Sequence, residues 1–160
     1  MGKKRDNEQK SAPPATTKRQ LKPEKTASLG NPVGDFNISM ITSLYGLRKH
    51  PRHKTMEFHP GIDIDTEMGE AVLSVADGVI IFSGKQGGYG NVIIVEHSEE
   101  FCTVYAHLAL MVVTKGDVVH RGELIGNVGV TGNSTGSHLH FEVRINGKTV
   151  DPLDYLKISK

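Results

Sequence analysis

The sequence has no tryptophan, a single cysteine and no long apolar run. Each absence excludes something. One cysteine, Cys102, rules out an internal disulfide and a cysteine-based zinc cluster. It lies in an apolar strand pattern with no basic neighbour on its own face, so it reads as a small buried hydrophobe rather than a reactive thiol. The apolar runs fall far short of the roughly 18 residues that a membrane-spanning helix needs, so no integral membrane span is expected. No signal-peptide core is visible, so these residues give no export route of their own. A basic face is missing as well. Residues 31–160 carry eleven Lys or Arg against fifteen Asp or Glu, a balance of −4. Phosphate backbones need the opposite sign, so nucleic acid is not an expected partner.

What is present points to β-structure. The chain has 160 residues, enough for one domain with a real core, and 18 of them are glycine. The apolar runs are short and rich in β-branched residues. Together these predict a mainly β domain of antiparallel sheet with many tight turns and no long helix. Residues 1–30 differ in kind. They carry eight Lys or Arg against three Asp or Glu, a balance of +5, with Leu21 and Leu29 the large aliphatics after Met1. So little apolar surface does not offset the entropy of ordering, and this basic stretch reads as a disordered tail or linker. The folded domain is expected over residues 31–160.

Along that domain, Ile38–Tyr45 suggests a first strand and Leu47–Phe58 a polar loop holding Arg48, His50, Arg52, His53 and Lys54. His50 and His53 read as surface histidines, with substrate contact as the alternative. In Ile62-Asp63-Ile64-Asp65 the two isoleucines face one way and the two aspartates the other. Before them, Pro60-Gly61 provides a turn that folds His59 back over Asp63. Val72–Ala76 and Val79–Ser83 read as two strands joined by an Asp77-Gly78 hairpin turn. Lys85–Asn91 is a glycine loop, without the Lys-Ser/Thr of a phosphate loop, and reads as a groove wall. Val92–His97 and Phe101–Leu108 form a hairpin turned by Ser98–Glu100. By strict alternation its second strand places Thr103, Tyr105 and His107 on one face, and Cys102, Val104, Ala106 and Leu108 on the other. Val150–Leu156 closes the sheet with a turn.

The domain is organised around Gly132–Ile145. From His138 the sequence alternates: Leu139, Phe141, Val143 and Ile145 are apolar, and His138, His140, Glu142 and Arg144 are polar. His138 and His140 therefore project from one face at the mouth of a glycine-rich loop. Two imidazoles without partners are expensive to bury, but neutral imidazole is a common metal ligand. His59 with Asp63, His107, and the His138/His140 pair together have the makings of a catalytic zinc site. Such sites use three protein ligands and leave a corner for water. His97 and His120 lack patterned companions and read as ordinary histidines.

From about Ile41 to Leu156 the chain resembles the lysostaphin/LytM-type zinc endopeptidases of bacterial cell walls. The matching pieces are Gly46–Pro51, His59-Pro60-Gly61-Ile62-Asp63, Ala76-Asp77-Gly78, Gly87–Asn91, Thr103–Leu108, and Gly129–Gly132 through His138–Glu142. The resemblance implies one Zn²⁺ held by His59, Asp63 and His140, with His107 and His138 as the catalytic pair that positions and deprotonates water. It implies peptidoglycan peptides as substrate, an amide bond as the bond cut, and a loop-walled groove in the sheet. It also implies a place in the cell envelope and a possible protein regulator. Lys54 stands where many relatives have glycine. The Arg48-His50-Pro51 pattern is more like that of enzymes that cut direct peptide cross-links than that of oligoglycine cutters. The alternative within the family is a non-catalytic domain that binds wall or activates another hydrolase; such relatives lose metal ligands, and all five key positions are kept here. A biotinyl- or lipoyl-like carrier is a third reading of Val72–Val79 and Val118–Gly126, but Asp77-Gly78 offers no lysine to carry a group.

Overall fold

The computed structural model describes residues 29–49 and 54–156. The tail expected over residues 1–30 lies outside the described residues up to residue 28. Leu29 and Gly30 belong to the packed structure: Leu29 is buried and its N–H donates to the Tyr155 carbonyl, while Gly30 bonds to Val75. His50 and His53 also lie outside the described residues.

Twelve short strands follow one another: β1 (Ile41–Ser43), β2 (Gly46–Lys49), β3 (Met56–His59), β4 (Ile62–Asp65), β5 (Ala71–Leu73), β6 (Gly78–Lys85), β7 (Asn91–Glu96), β8 (Phe101–Met111), β9 (Val118–Val119), β10 (Leu124–Val128), β11 (His138–Ile145) and β12 (Lys148–Val150). Among the described residues the helical pieces are single 3-10 turns, at Ile38–Met40, Gly87–Tyr89 and Pro152–Asp154. None is long and apolar enough to cross a membrane. The architecture is the expected antiparallel β. Ten strands form one sheet with the path β1-β4-β11-β8-β7-β6-β9; β10 adds to β8 and carries β5, and β12 adds to β11. β2 and β3 form a separate hairpin.

The alternation of β11 and β4 decides which face is which. Leu139, Phe141 and Val143 are fully buried on the core face, as are Ile62 and Ile64. His140 lies opposite Asp63, and His138 opposite Asp65, on the other face. A single residue of slip would exchange the two faces, so burial of five large apolar side chains fixes the register of the site.

Three expectations are corrected. Leu47–Phe58 is not one loop: Gly46–Lys49 and Met56–His59 pair as a hairpin, with Leu47 opposite Phe58 and Arg48 opposite Glu57. Asp77-Gly78 is not a hairpin turn between its flanking strands. β5 pairs with β10, and β6 pairs with β7 and β9, so the chain crosses between partners at that point. The dipeptide is compatible with a tight turn, but Gly78 is needed for close packing: a Cβ there would lie 2.5 Å from the Glu96 carbonyl oxygen. The third correction concerns β8. Thr103 and Tyr105 are buried with the main core rather than on a polar stripe. At His107 the backbone turns to φ +65° and the alternation loses its phase. Ile93 of β7 pairs with Tyr105 and Asn91 with Leu108, so an extra β8 residue is accommodated here. Leu108 thereby packs into the core and His107 swings to the face of Val104 and Ala106. Cys102 is half-buried on β8.

Candidate metal centre

Four of the histidines singled out in the sequence meet over the polar face of β11. β4 supplies Asp63, the end of β3 supplies His59, the β8 bulge supplies His107, and β11 supplies His138 and His140. Gly61 lets the turn between His59 and Asp63 sit on β11, because a side chain there would overlap the carbonyl of Phe141. The ligand-capable atoms of His59, Asp63 and His140 all lie within 4.8 Å of one another. The His107 and His138 rings are 4.9 Å apart, and His107 is 5.9 Å from the His140 ring. His97 and His120 stay apart from this cluster: His97 is buried between Asp77 and Thr103, and His120 is exposed beside Asp77.

The hydrogen bonds decide which nitrogen of each ring faces inward. His59 Nδ1 is 2.9 Å from the Leu44 carbonyl, so it donates and leaves Nε2 bare. His140 Nε2 donates to Glu142 Oε2 at 2.8 Å and leaves Nδ1 facing Asp63 Oδ1 at 2.9 Å. His107 Nδ1 donates to the Thr131 carbonyl at 2.8 Å, and His138 Nδ1 to the Gly136 carbonyl at 3.0 Å. In each ring one nitrogen is tied to an acceptor in the protein. The other is turned toward the same space, where a cation can take the place of any proton it carries.

That arrangement has a consequence for Asp63. Its Oδ1 lies 3.2 Å from His59 Nε2 and 2.9 Å from His140 Nδ1. Two bare nitrogens and a carboxylate oxygen are all acceptors, and acceptors that close repel unless something positive sits among them. A proton bridges one pair; a divalent cation satisfies all three. Two imidazoles and one carboxylate are the donor set of an open tetrahedral zinc site. The residues present thus fit the metal that the sequence suggested.

Without an ion, electrostatics makes the same point. Burial alone would raise the Asp63 carboxyl, but the neighbouring His140 and His59 rings hold it well below the usual carboxylate range. Burial would lower His140, yet its bonds to Asp63 and Glu142 outweigh that and bring it up to about 9. His107 behaves differently: burial, opposed only by the Thr131 bond and distant Asp63, pushes it down to about 4. It is neutral at pH 7 and available to accept a proton.

A groove of about 1190 Å³ runs over the cluster. Arg48, Glu57 and Phe58 of the β2–β3 hairpin line one wall, and Gly88, Tyr89, Asn133, Ser134 and Thr135 the other. The second wall consists of two glycine-rich loops locked together. Asn133 N–H donates to the Gly88 carbonyl at 2.8 Å, and Gly90, at φ +67°, would place a methyl 2.5 Å from the Thr131 and Gly132 backbone. Glycine is thus required there for approach as well as for backbone angle.

The sequence profile of peptidase family M23 matches residues 57–152. The chain belongs to that family. It is 46% identical over 125 residues to the DD-carboxypeptidase/endopeptidase Mpg of Neisseria meningitidis serogroup B, covering 75% of this chain and 29% of Mpg. It is 42% identical over 97 residues to the murein hydrolase activator NlpD of Escherichia coli, covering 60% of this chain and 25% of NlpD. This M23 domain therefore spans less than a third of the curated relatives it matches. Among solved structures it is similar to a zinc-containing peptidase from Vibrio cholerae, at TM-score 0.71 and 36% identity over 83% of this chain and 41% of that one. It is also similar to the catalytic domain of lysostaphin from Staphylococcus simulans, at TM-score 0.65 and 31% identity over 71% and 88% of the two chains. The resemblance to lysostaphin-type peptidases read from the sequence is borne out.

Several residues of the site had no role assigned from the sequence. Glu142, Tyr89 and Arg144 form a bonded group behind His140, and the Leu44, Thr131 and Gly136 carbonyls fix three rings. Glu142 was discoverable: it lies two residues beyond His140 on the same face of the same strand. The carbonyls were not, because any residue type supplies one.

Proposed function

We propose that this M23 domain is a zinc-dependent endopeptidase that hydrolyses an amide bond in the peptides of peptidoglycan, in the cell envelope. The observation that supports the reading is the convergence of ligand atoms of His59, Asp63 and His140 within 4.8 Å of one another, with two further histidines facing the same space. The likeness to Mpg and to the Vibrio cholerae peptidase points the same way.

When bound, zinc would acidify a water and polarise the scissile carbonyl. The chain does the rest. His59, Asp63 and His140 would hold the ion on rigid strand ends. His107 Nε2, neutral and bare, would accept the proton of the attacking water. His138, whose Nδ1–H is anchored to Gly136, would direct its Nε2 side at the developing oxyanion once protonated, and stabilise it there. The groove walls would align an extended peptide across the cluster.

The test is digestion of purified, cross-linked peptidoglycan by metal-free and zinc-loaded protein, with mass spectrometry of the fragments. Zinc-dependent release of new amino groups supports the reading and names the bond. NlpD favours a second reading, a domain that activates another hydrolase. That reading predicts a filled site with no release by this protein alone, and release when a separate murein hydrolase is added.

A further inference from the structure

Behind the cluster lies a buried charge that the proposed chemistry does not use. Glu142 is wholly buried, and the side chains of His140, Tyr89 and Arg144 close on its carboxylate. Every lone pair it has is spoken for. Oε2 accepts from His140 Nε2 at 2.8 Å and from the Tyr89 hydroxyl at 2.6 Å. Oε1 accepts from Arg144 Nε at 2.9 Å and Nη2 at 2.8 Å. Arg144 Nη2 also donates to the Tyr89 oxygen at 3.2 Å, which closes the group into a ring.

Burying a carboxylate is costly unless its partners are well placed, and a hydrophobic residue would fill the same position at less risk. Val104, opposite Glu142 on β8, shows that the face tolerates one. What the carboxylate adds is direction. His140 is a planar ring with two usable nitrogens. A fixed acceptor at Nε2 holds a proton on that side and turns Nδ1 toward Asp63.

We propose that Tyr89, Glu142 and Arg144 act as a positioning device for His140, fixing its ring and tautomer and thereby setting the affinity of the site for its metal. The inference rests on the zinc reading above. Tyr89 also lines the groove on the 3-10 turn of the glycine loop, so it joins the wall that would touch substrate to the back of a metal ligand.

The readout is zinc affinity, measured by chelator competition on full-length protein, together with the ¹⁵N signals of the His140 ring in metal-free protein. Wild type should bind one zinc and show an Nε2 whose proton is held toward Glu142. Glu142→Gln keeps the shape but has one acceptor oxygen for four donor groups. It should bind zinc about 10–100-fold more weakly, the loss typical of an outer partner of a metal-bound histidine, and its His140 signals should show mixed tautomers. Tyr89→Phe removes one donor from the carboxylate and should weaken binding several-fold. If Glu142→Gln fails to fold, Tyr89→Phe decides: zinc affinity and ring signals equal to wild type would overturn the proposal. So would a folded Glu142→Gln with unchanged affinity. Wild type that binds no zinc would instead sink the metal reading itself.

Discussion

Two buried regions of this protein are built around histidine, and they differ in what is left over. His97, at the end of β7, is fully enclosed. Its Nδ1 is 2.7 Å from the Asp77 carbonyl and its Nε2 is 2.8 Å from the Thr103 hydroxyl, which in turn meets the Tyr105 hydroxyl at 2.8 Å. Both nitrogens are used, and the region is closed to further chemistry. In the cluster over β11, each of four rings has one nitrogen tied to an acceptor at its back and one turned inward, and the inward ones converge. Burial of histidine is thus no sign of a site. An unspent lone pair, repeated and aimed at one point, is.

The largest expected effect is on the metal. Asp63→Ala or His140→Ala should lose bound zinc and reduce turnover by at least about 10³-fold, because a Lewis acid and its activated water go together. Zinc content by emission spectroscopy and fragment release from cell wall measure both. Should either variant keep its zinc, the convergent cluster would be no different in kind from the region around His97.

A smaller effect separates the four rings. His107→Ala and His138→Ala should keep zinc and lose roughly 10²–10⁴-fold in rate, the range for removing a proton-transfer group. Equal zinc content with retained turnover would show that those bare nitrogens are idle.

The smallest effect belongs to the closed region. His97→Gln should leave zinc and turnover unchanged at pH 7. It should alter stability against pH instead. Burial lowers His97 to about 4, from 6.5 in an unfolded chain. The unfolded state then binds the extra proton between those values. Stability is full above pH 6.5 and declines as pH falls toward 4, by about 3 kcal/mol from this group. Denaturant unfolding at pH 7 and pH 4 should show that the variant's decline is smaller by this amount. A parallel decline in both proteins would mean that His97 is already charged in the fold.

The sequence disclosed the sheet and most of the cluster, for a simple reason. Alternation of apolar and polar residues in β11 and β4 is strict, so Leu139, Phe141, Ile62 and Ile64 announce which face His140 and Asp63 must take. Where the pattern is broken by backbone geometry, reading by period misleads. Strict alternation put His107 with Thr103 and Tyr105, whereas the φ of +65° moves it to the opposite face. A left-handed histidine has no compositional mark. Asp77-Gly78 carries the composition of a turn, but Gly78 serves close packing between β6 and β7. The β2–β3 hairpin escaped notice because Leu47, Met56 and Phe58 are exposed and interleaved with charge, so no buried face gives them a period.

The most direct test is crystallographic: grow the protein with zinc and collect anomalous data at the zinc edge. The account predicts one peak per chain, about 2.0–2.2 Å from His59 Nε2, Asp63 Oδ1 and His140 Nδ1, with His107 and His138 facing a fourth, solvent position. A peak held by His107 and His138 instead, or no peak at this cluster, would contradict it.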